Sequence, residues 1–401
     1  MQTIESNSLM KICITSNTSW SIYNFRKNLI KTLVAHGHDV YVMAPDESYY
    51  RQIIANWKCK FITLKSVRPN STNPFTNIKF YFELKKIFRK EKFDMVLSYT
   101  PKPNIWGAIA SKHTDIQFIP TVNGLGHAFI NKNWLSFIVA KLYKYAFSGI
   151  QNAVFQNPDD ADFFVAKNIV SREKTLLVPG SGVDLEQFYP SYNINYNSTS
   201  LRFLFAGRFI KSKGVMEYVQ ASAILKKVYP DVSFYMVGAV SENPSSVTMK
   251  QIEKWINAGI IKYYALTDDM SAFLNDIDVL VFPSYYREGI PKILLEACAK
   301  ELPIITTNNV GCNQVIQHDY NGLVVKEKNV ENLVEAMEKM ITIGPMMRKQ
   351  MGTNGRKLVE EKFDDKIVVE KYLALLQTKS NKAAANKVNY EDVKSTKATS
   401  M

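Results

Sequence analysis

The chain is poor in cysteine. Cys13, Cys59, Cys298 and Cys312 are scattered with no CxxC spacing, which excludes a disulfide frame or thiolate zinc site and fits free thiols of a reducing compartment. Seventeen glycines and 15 prolines are too few for a fibrous or low-complexity protein. Uncharged apolar runs of about 18 residues are missing, so no membrane-spanning helix is expected. The opening MQTIESNSLMK has no basic segment followed by an apolar one, and the expectation is a cytoplasmic protein without a secretory leader. Acidic residues are the scarcer charge, 37 against 50 Lys and Arg, leaving +13 at pH 7. That excess attracts polyanions without choosing among nucleic acid, anionic lipid and phosphorylated small molecules.

What is present is globular: 46% apolar and 12% aromatic residues in a 401-residue chain, a length that suggests two domains of roughly 150–200 residues. KICIT (11–15), a helical pattern from Phe25 to Ala35 ending at Gly37, and DVYVMAP make the strand, helix, strand unit of a parallel sheet. The rhythm runs on through KFITL (60–64), a helix over 75–91, DMVLSY (94–99), a helix over 104–112, QFIPTVNG (117–124), a helix over 134–148, NAVFQN (152–157), a helix over 158–168 and TLLVPG (175–180). Residues 189–200 are polar and unpatterned, as a linker would be. LRFLFAG (201–207), SFYMVG (233–238), IKYYAL (261–266), DVLVFPS (278–284), PIITTN (303–308) and GLVV (322–325) then alternate with helical patterns over 214–229, 246–258, 268–275, 291–300, 329–342 and 345–378. The expected α/β organisation is two consecutive Rossmann-like domains, 1–188 and 201–364, a final helix over 365–378 crossing back to the first, and a disordered tail over 379–401. Ligands of such sheets bind beyond the carboxyl ends of the strands, so the loops there carry the functional reading.

Two loops stand out. GRFIKSKG places Gly207 and Gly214 around Arg208 and Lys213, next to a helix start whose dipole favours an anion, and a diphosphate fits such a loop. An ordinary solvated loop with surface charges reads the same residues. In REGIPKILLEACAK, Glu288 precedes a helix that Pro291 is suited to open, and Glu296 lies inside it. Were the intervening residues all helical, the two carboxylates would stand about 12 Å apart, the reach from sugar to ribose of a nucleotide sugar. A loop glutamate and a helix-surface glutamate are the plain alternative.

These segments, with VPGSGVD (178–184), VFPSYYREGIP (281–291) and GCNQVIQHDYNGLVV (311–325), resemble the retaining glycosyltransferases of family 4 from about residue 11 to about residue 375. Within that family, TSWSIYNFR (18–26), NGLG (123–126) and VGAVSENPSS (237–246) are similar to bacterial enzymes that elongate lipid-linked oligosaccharides for O-antigen, capsule or N-glycan. The resemblance implies a GT-B fold, two Rossmann-like domains facing a central cleft, with the acceptor in the first and the donor in the second. It implies a UDP-sugar donor, a hexose or N-acetylhexosamine with GalNAc favoured, and an undecaprenyl-diphosphate-linked saccharide as acceptor. Arg208 and Lys213 would bind the diphosphate, Glu296 the ribose, and Glu288 the sugar with the backbone of Gly289, Ile290, Pro291 and Lys292; Leu266 and Thr267 would hold the base beside Gly207 and Gly214. Ser19, Trp20, Ser21, Asn123, Gly124 and Gly126 would line the acceptor side, with His127 a candidate near the sugar.

The chain also departs from the family pattern. Many relatives carry a Gly-Gly pair after the first strand where SNTSWSIYNF stands here, and a glycine where Lys300-Glu301 stands. Asp268-Asp269 and Asp276/Asp278 read as a helix cap and a strand entry, so no metal and no further cofactor is expected. The segments 77–93 and 133–147 mix lysines with large apolar side chains, which suits an anionic membrane surface as well as ordinary domain helices. A basic nucleic-acid binder is the rival from another class, without zinc spacing or an RNP motif to support it. An epimerase or phosphorylase of the same two-domain architecture is the nearer one. The oligomeric state is not encoded in any pattern.

Overall fold

In the computed structural model, the described residues are 9–68, 73–125, 134–190, 200–240, 245–265, 267 and 269–377. Two parallel sheets organise them. The first contains β1 (Lys11–Thr15), β2 (Asp39–Ala44), β3 (Lys60–Thr63), β4 (Met95–Tyr99), β5 (Gln117–Val122), β6 (Ala153–Phe155) and β7 (Thr175–Leu177), in the order β3-β2-β1-β4-β5-β6-β7. The second contains β8 (Arg202–Ala206), β9 (Ser233–Val237), β10 (Lys262–Tyr264), β11 (Val279–Phe282), β12 (Ile304–Thr307) and β13 (Gly322–Val325), in the order β10-β9-β8-β11-β12-β13. In each, the chain runs outward from its first strand on one side and then resumes on the other. The direction therefore reverses between β1 and β4, and between β8 and β11. Those two crevices are where this kind of sheet receives ligands.

Helices cover both faces of the second sheet, so its strands alternate between two apolar layers instead of between core and water. Phe203 and Phe205 join Phe234, Met236 and Val279 in one layer, while Leu204 and Ala206 join Leu280, Phe282, Leu294 and Leu295 in the other. Such double burial explains why LRFLFA reads as a continuous apolar run. By density of internal contacts the chain divides into two compact units. One runs up to Thr121 and includes Leu142–Val154 and the chain from Lys366; the other is Val122–Lys141 with Phe155–Asp365.

Elements outside the second crevice differ from the sequence expectation in three places that matter for the fold. The first helix begins at Ser19, not Phe25, because Thr18 adopts extended backbone and its hydroxyl accepts from the Ser21 N–H. A short helix, Ser48–Ala55, was not anticipated; it buries only Ile54, too little apolar periodicity to read in advance. The long pattern over 345–378 is broken after helix Pro345–Lys362. There Val183 exchanges backbone hydrogen bonds with Phe363 (2.9 Å) and Asp365 (3.1 Å), and a strand-like bridge replaces one turn. Gly182, at φ +70°, makes this approach possible, since a Cβ there would lie 2.4 Å from Asp365 Cα. The helix resumes over 365–377, and its Tyr372 hydroxyl meets Thr121 Oγ1 of β5 at 2.8 Å. Most of the linker, 191–199, and the tail from 378 lie outside the described residues.

Candidate functional site

Both loops singled out from the sequence leave the carboxyl ends of β8 and β11, the two strands flanking the second crevice. Gly214 adopts φ +79° and closes the first loop; a Cβ would collide with the Pro283 carbonyl at 2.2 Å. The glycine therefore lets helix Val215–Val228 start against the β11 loop, and that start carries no side-chain cap. Its free N–H groups and dipole favour an anion. Arg208 is exposed, its guanidinium 6.0 Å from the Tyr286 ring, and no ion pair engages it among the described residues.

Lys213 is buried at 8% exposure and forms an ion pair with Glu288, which also accepts from Ser284 Oγ at 3.3 Å. The ammonium lies 5.1 Å from the Phe282 ring and 5.4 Å from that of Tyr286. The sequence reading gave these two residues separate ligand groups, one the diphosphate and one the sugar. The free protein brings them together. A buried ammonium needs a counter-charge, and Glu288 supplies it.

Glu296 is buried at 7% exposure on helix Lys292–Ala299. Burial pushes its carboxyl above the ordinary glutamate value, against the smaller pull of Lys292, whose Nζ is 3.4 Å away. The helix is shorter than the sequence suggested. Pro291 is the extended N-cap at φ −65°, ψ 118°, outside the helix it was expected to open. Residues 288–291 are therefore not helical, and the 12 Å helical spacing does not apply.

The β11 loop is held by residues the sequence reading missed. Asn157 donates to the carbonyls of Glu288 (3.3 Å) and Gly289 (3.2 Å), and Arg287 Nε donates to Asp160 at 2.9 Å. Asp160 is fully buried, and burial raises its carboxyl above the usual range despite Asn157 and Arg287. At Gly289 a Cβ would lie 2.2 Å from Gln156 Oε1 and 2.9 Å from the Asn123 carbonyl. The glycine in REGIP is thus required by packing. Tyr285 N–H donates to the Ser212 carbonyl, which ties the two loops together, and Asn309 Nδ2, past β12, donates to the Tyr286 carbonyl. QNPDD reads as a helix cap, and Asn157 is one; its second role has no sequence signal.

Of the other expected residues, Asn123 and Gly124 reach Gly289 through backbone, and Ile290 contributes to the apolar layer beneath. Gly207 takes φ +152° at the end of β8. Thr267 accepts from Asp269 N–H. Leu266, Gly126 and His127 lie outside the described residues. Ser19 donates to the Pro45 carbonyl, Trp20 N–H to Glu47 Oε2 at 2.7 Å, and Ser21 N–H to Thr18. The Ser19 hydroxyl and the Trp20 and Ser21 N–H groups are thus engaged within the chain. Asp269 caps helix Met270–Leu274 and Asp278 holds Arg202; among the described residues no three His, Cys, Asp or Glu side chains are grouped to hold a metal.

Two doubly wound parallel sheets, the second with an arginine, a paired lysine and an uncapped helix start at its crevice, define a GT-B type protein. Residues 11–157 match the model "Glycosyl transferase 4-like" and residues 193–358 match "Glycosyl transferases group 1". The N,N'-diacetylbacillosaminyl-diphospho-undecaprenol alpha-1,3-N-acetylgalactosaminyltransferase of Campylobacter jejuni is 29% identical over 383 residues, 91% of this chain and 98% of that protein. The UDP-Gal:alpha-D-GlcNAc-diphosphoundecaprenol alpha-1,3-galactosyltransferase of Escherichia coli is 23% identical over 275 residues, 66% of this chain and 70% of that protein. Anabaena HepE, solved with UDP and glucose, superposes with a TM-score of 0.76 at 14% identity, covering 92% of this chain and 100% of that one. The chain belongs to the group 1, family 4-like glycosyltransferases.

Proposed function

We propose that the chain transfers a hexose or N-acetylhexosamine, GalNAc the favoured one, from a UDP-sugar to an undecaprenyl-diphosphate-linked saccharide, with retention at the anomeric carbon and without a metal. The observation that carries this is the placement of exposed Arg208 and the Lys213–Glu288 ion pair around the Tyr286 ring at the second crevice. The substrates are those in the names of the Campylobacter and Escherichia relatives. Residues 1–188 are assigned to the acceptor and 201–364 to the donor.

Breaking the anomeric C–O bond leaves negative charge on the diphosphate. Arg208, Lys213 and the free N–H groups of helix Val215–Val228 stabilise that charge more than the neutral sugar linkage, which is what accelerates the step. In a front-face reaction the departing phosphate accepts the acceptor's proton, so no separate base is required. Glu288 holds Lys213 in place before binding, then turns to the sugar hydroxyls. Buried Glu296 accepts from the ribose. A lipid-linked acceptor also calls for a membrane surface. Helix Pro74–Glu91 offers one, with Phe75 80% and Phe82 59% exposed beside Lys85, Lys86, Arg89 and Lys90.

The test is transfer from a panel of UDP- and GDP-sugars to a short-chain lipid-diphosphate saccharide, with and without EDTA, reading anomeric configuration by NMR. Selective use of one UDP-sugar with chelator-insensitive retention is expected. Inversion, loss of transfer in EDTA, or conversion of donor to an epimer without acceptor would each overturn the corresponding part.

A further inference from the structure

The first sheet has the same crevice as the second, between β1 and β4, but it is built differently. In the second sheet the helix start is free and the cations follow the strand directly. In the first, helix Ser19–Ala35 has its leading N–H groups engaged, one by Thr18 and one by the carboxylate of Glu47. Backbone recognition of an anion there is pre-empted by the chain itself.

One cation remains. Arg26, two turns into that helix, is 4% exposed, with its guanidinium 3.7 Å over the Tyr99 ring at the end of β4. Its Nε is buried without a hydrogen-bond partner, and among the described residues no carboxylate pairs with it. Helical side chains lean toward the helix N-terminus, so this one reaches back to the crevice. A ring face offsets part of the desolvation of a cation, but an unpaired buried charge is otherwise costly. Buried polar groups without partners call for an explanation, and an absent ligand is one. Two neighbours point the same way. Ser16, the first residue past β1, has a fully buried hydroxyl without a partner. Thr100, following Tyr99, is held at φ +71°, and its Oγ1 accepts from Asn17 N–H at 3.3 Å. A β-branched residue in that conformation is strained, and such strain gathers at ligand sites.

We propose that Arg26 is the cation of a phosphoanion subsite at the β1/β4 crevice, which receives the diphosphate of the lipid-linked acceptor. The assignment of that occupant rests on the proposed function; the subsite itself rests on the unpaired guanidinium. The donor's own diphosphate is the other source of the same chemistry.

Full-length protein saturated with UDP is titrated with inorganic pyrophosphate and with farnesyl diphosphate by calorimetry. One further binding event is expected in the wild type, at least tenfold weaker in Arg26→Gln, with UDP affinity within twofold of wild type and partial recovery in Arg26→Lys. In transfer assays Arg26→Gln is expected to raise the acceptor KM at least tenfold, leaving donor KM and acceptor-free donor hydrolysis unchanged. A rise confined to donor KM would keep the subsite and overturn the acceptor as its occupant. No second phosphoanion in UDP-saturated wild type, together with a UDP affinity that is the same in Arg26→Lys as in wild type, would overturn the subsite even if Arg26→Gln fails to fold, as would a folded variant that binds both like wild type. Retained donor hydrolysis would show that the transferase reading survives such a failure.

Discussion

Arg208 and Lys213 serve one anion in the proposed reaction, yet their free-state environments differ enough to separate their effects. Arg208 is exposed and without an ion pair among the described residues, so Arg208→Ala is expected to leave stability within about 0.5 kcal/mol while lowering kcat by roughly 10²–10³, the usual loss for one charge-stabilising group. Lys213→Ala also strands the Glu288 carboxylate in a half-buried loop. It should cost about 3 kcal/mol of stability besides activity. Adding Glu288→Gln to Lys213→Ala should restore much of the stability and none of the turnover, as read by denaturant titration beside kinetics. Unchanged stability in the single variant would mean that the pair does not form in solution.

Glu296 gives a pH-dependent prediction. Burial raises its folded pKa above the ordinary 4.5, so the folded state binds this proton more tightly than the unfolded state. The ionised carboxylate therefore destabilises the fold at neutral pH, and the penalty fades as pH falls through the raised value toward 4.5. Glu296→Gln is expected to be more stable than wild type at pH 7 by on the order of 1 kcal/mol or less, with the gap closing on acidification. UDP affinity should fall in the same variant, because the amide gives the ribose a weaker acceptor. A variant both less stable and unchanged in UDP affinity would remove the ribose role.

Elements show where the sequence was legible and where it was not. β8 and β11 were readable because strands buried on both faces are nearly unbroken apolar runs. The break at 363–364 was not, since it is imposed by Val183 and Gly182, distant in sequence. The Lys300-Glu301 departure has a local consequence at the end of helix Lys292–Ala299. Glu301 sits at φ +59°, the left-handed position that helix ends usually give to glycine. Glu301→Gly is expected to stabilise the protein by about 0.5–1 kcal/mol, relief of backbone strain exceeding the added freedom of the unfolded chain. Thermal unfolding would check it. Helix Pro74–Glu91 carries the membrane prediction. Replacing Lys85, Lys86 and Arg89 with Glu should weaken sedimentation with anionic vesicles by at least 10²-fold, since each basic residue near such a surface contributes about 1 kcal/mol. Equal binding to neutral vesicles would refute an electrostatic contribution.

At the scale of the whole molecule, the two-sheet architecture followed from alternating patterns alone, and the Arg208, Lys213 and Glu288 loops from family-like motifs. What stayed hidden were contacts made across sequence distance. Asn157 and Asp160 brace the β11 loop from residues that read as a helix cap, and Arg26 reads as one more charge on an amphipathic helix. The two crevices provide a way to test the division of labour directly by hydrogen exchange. Saturating UDP should slow exchange over 207–217 and 286–300, by up to about 100-fold when the ligand is at a hundred times its Kd, and leave 16–26 and 98–104 unchanged. Farnesyl diphosphate added on top should protect 16–26 and 98–104. Protection of both sets by UDP alone would mean that the first crevice serves the donor, and that the acceptor's anion must be sought elsewhere.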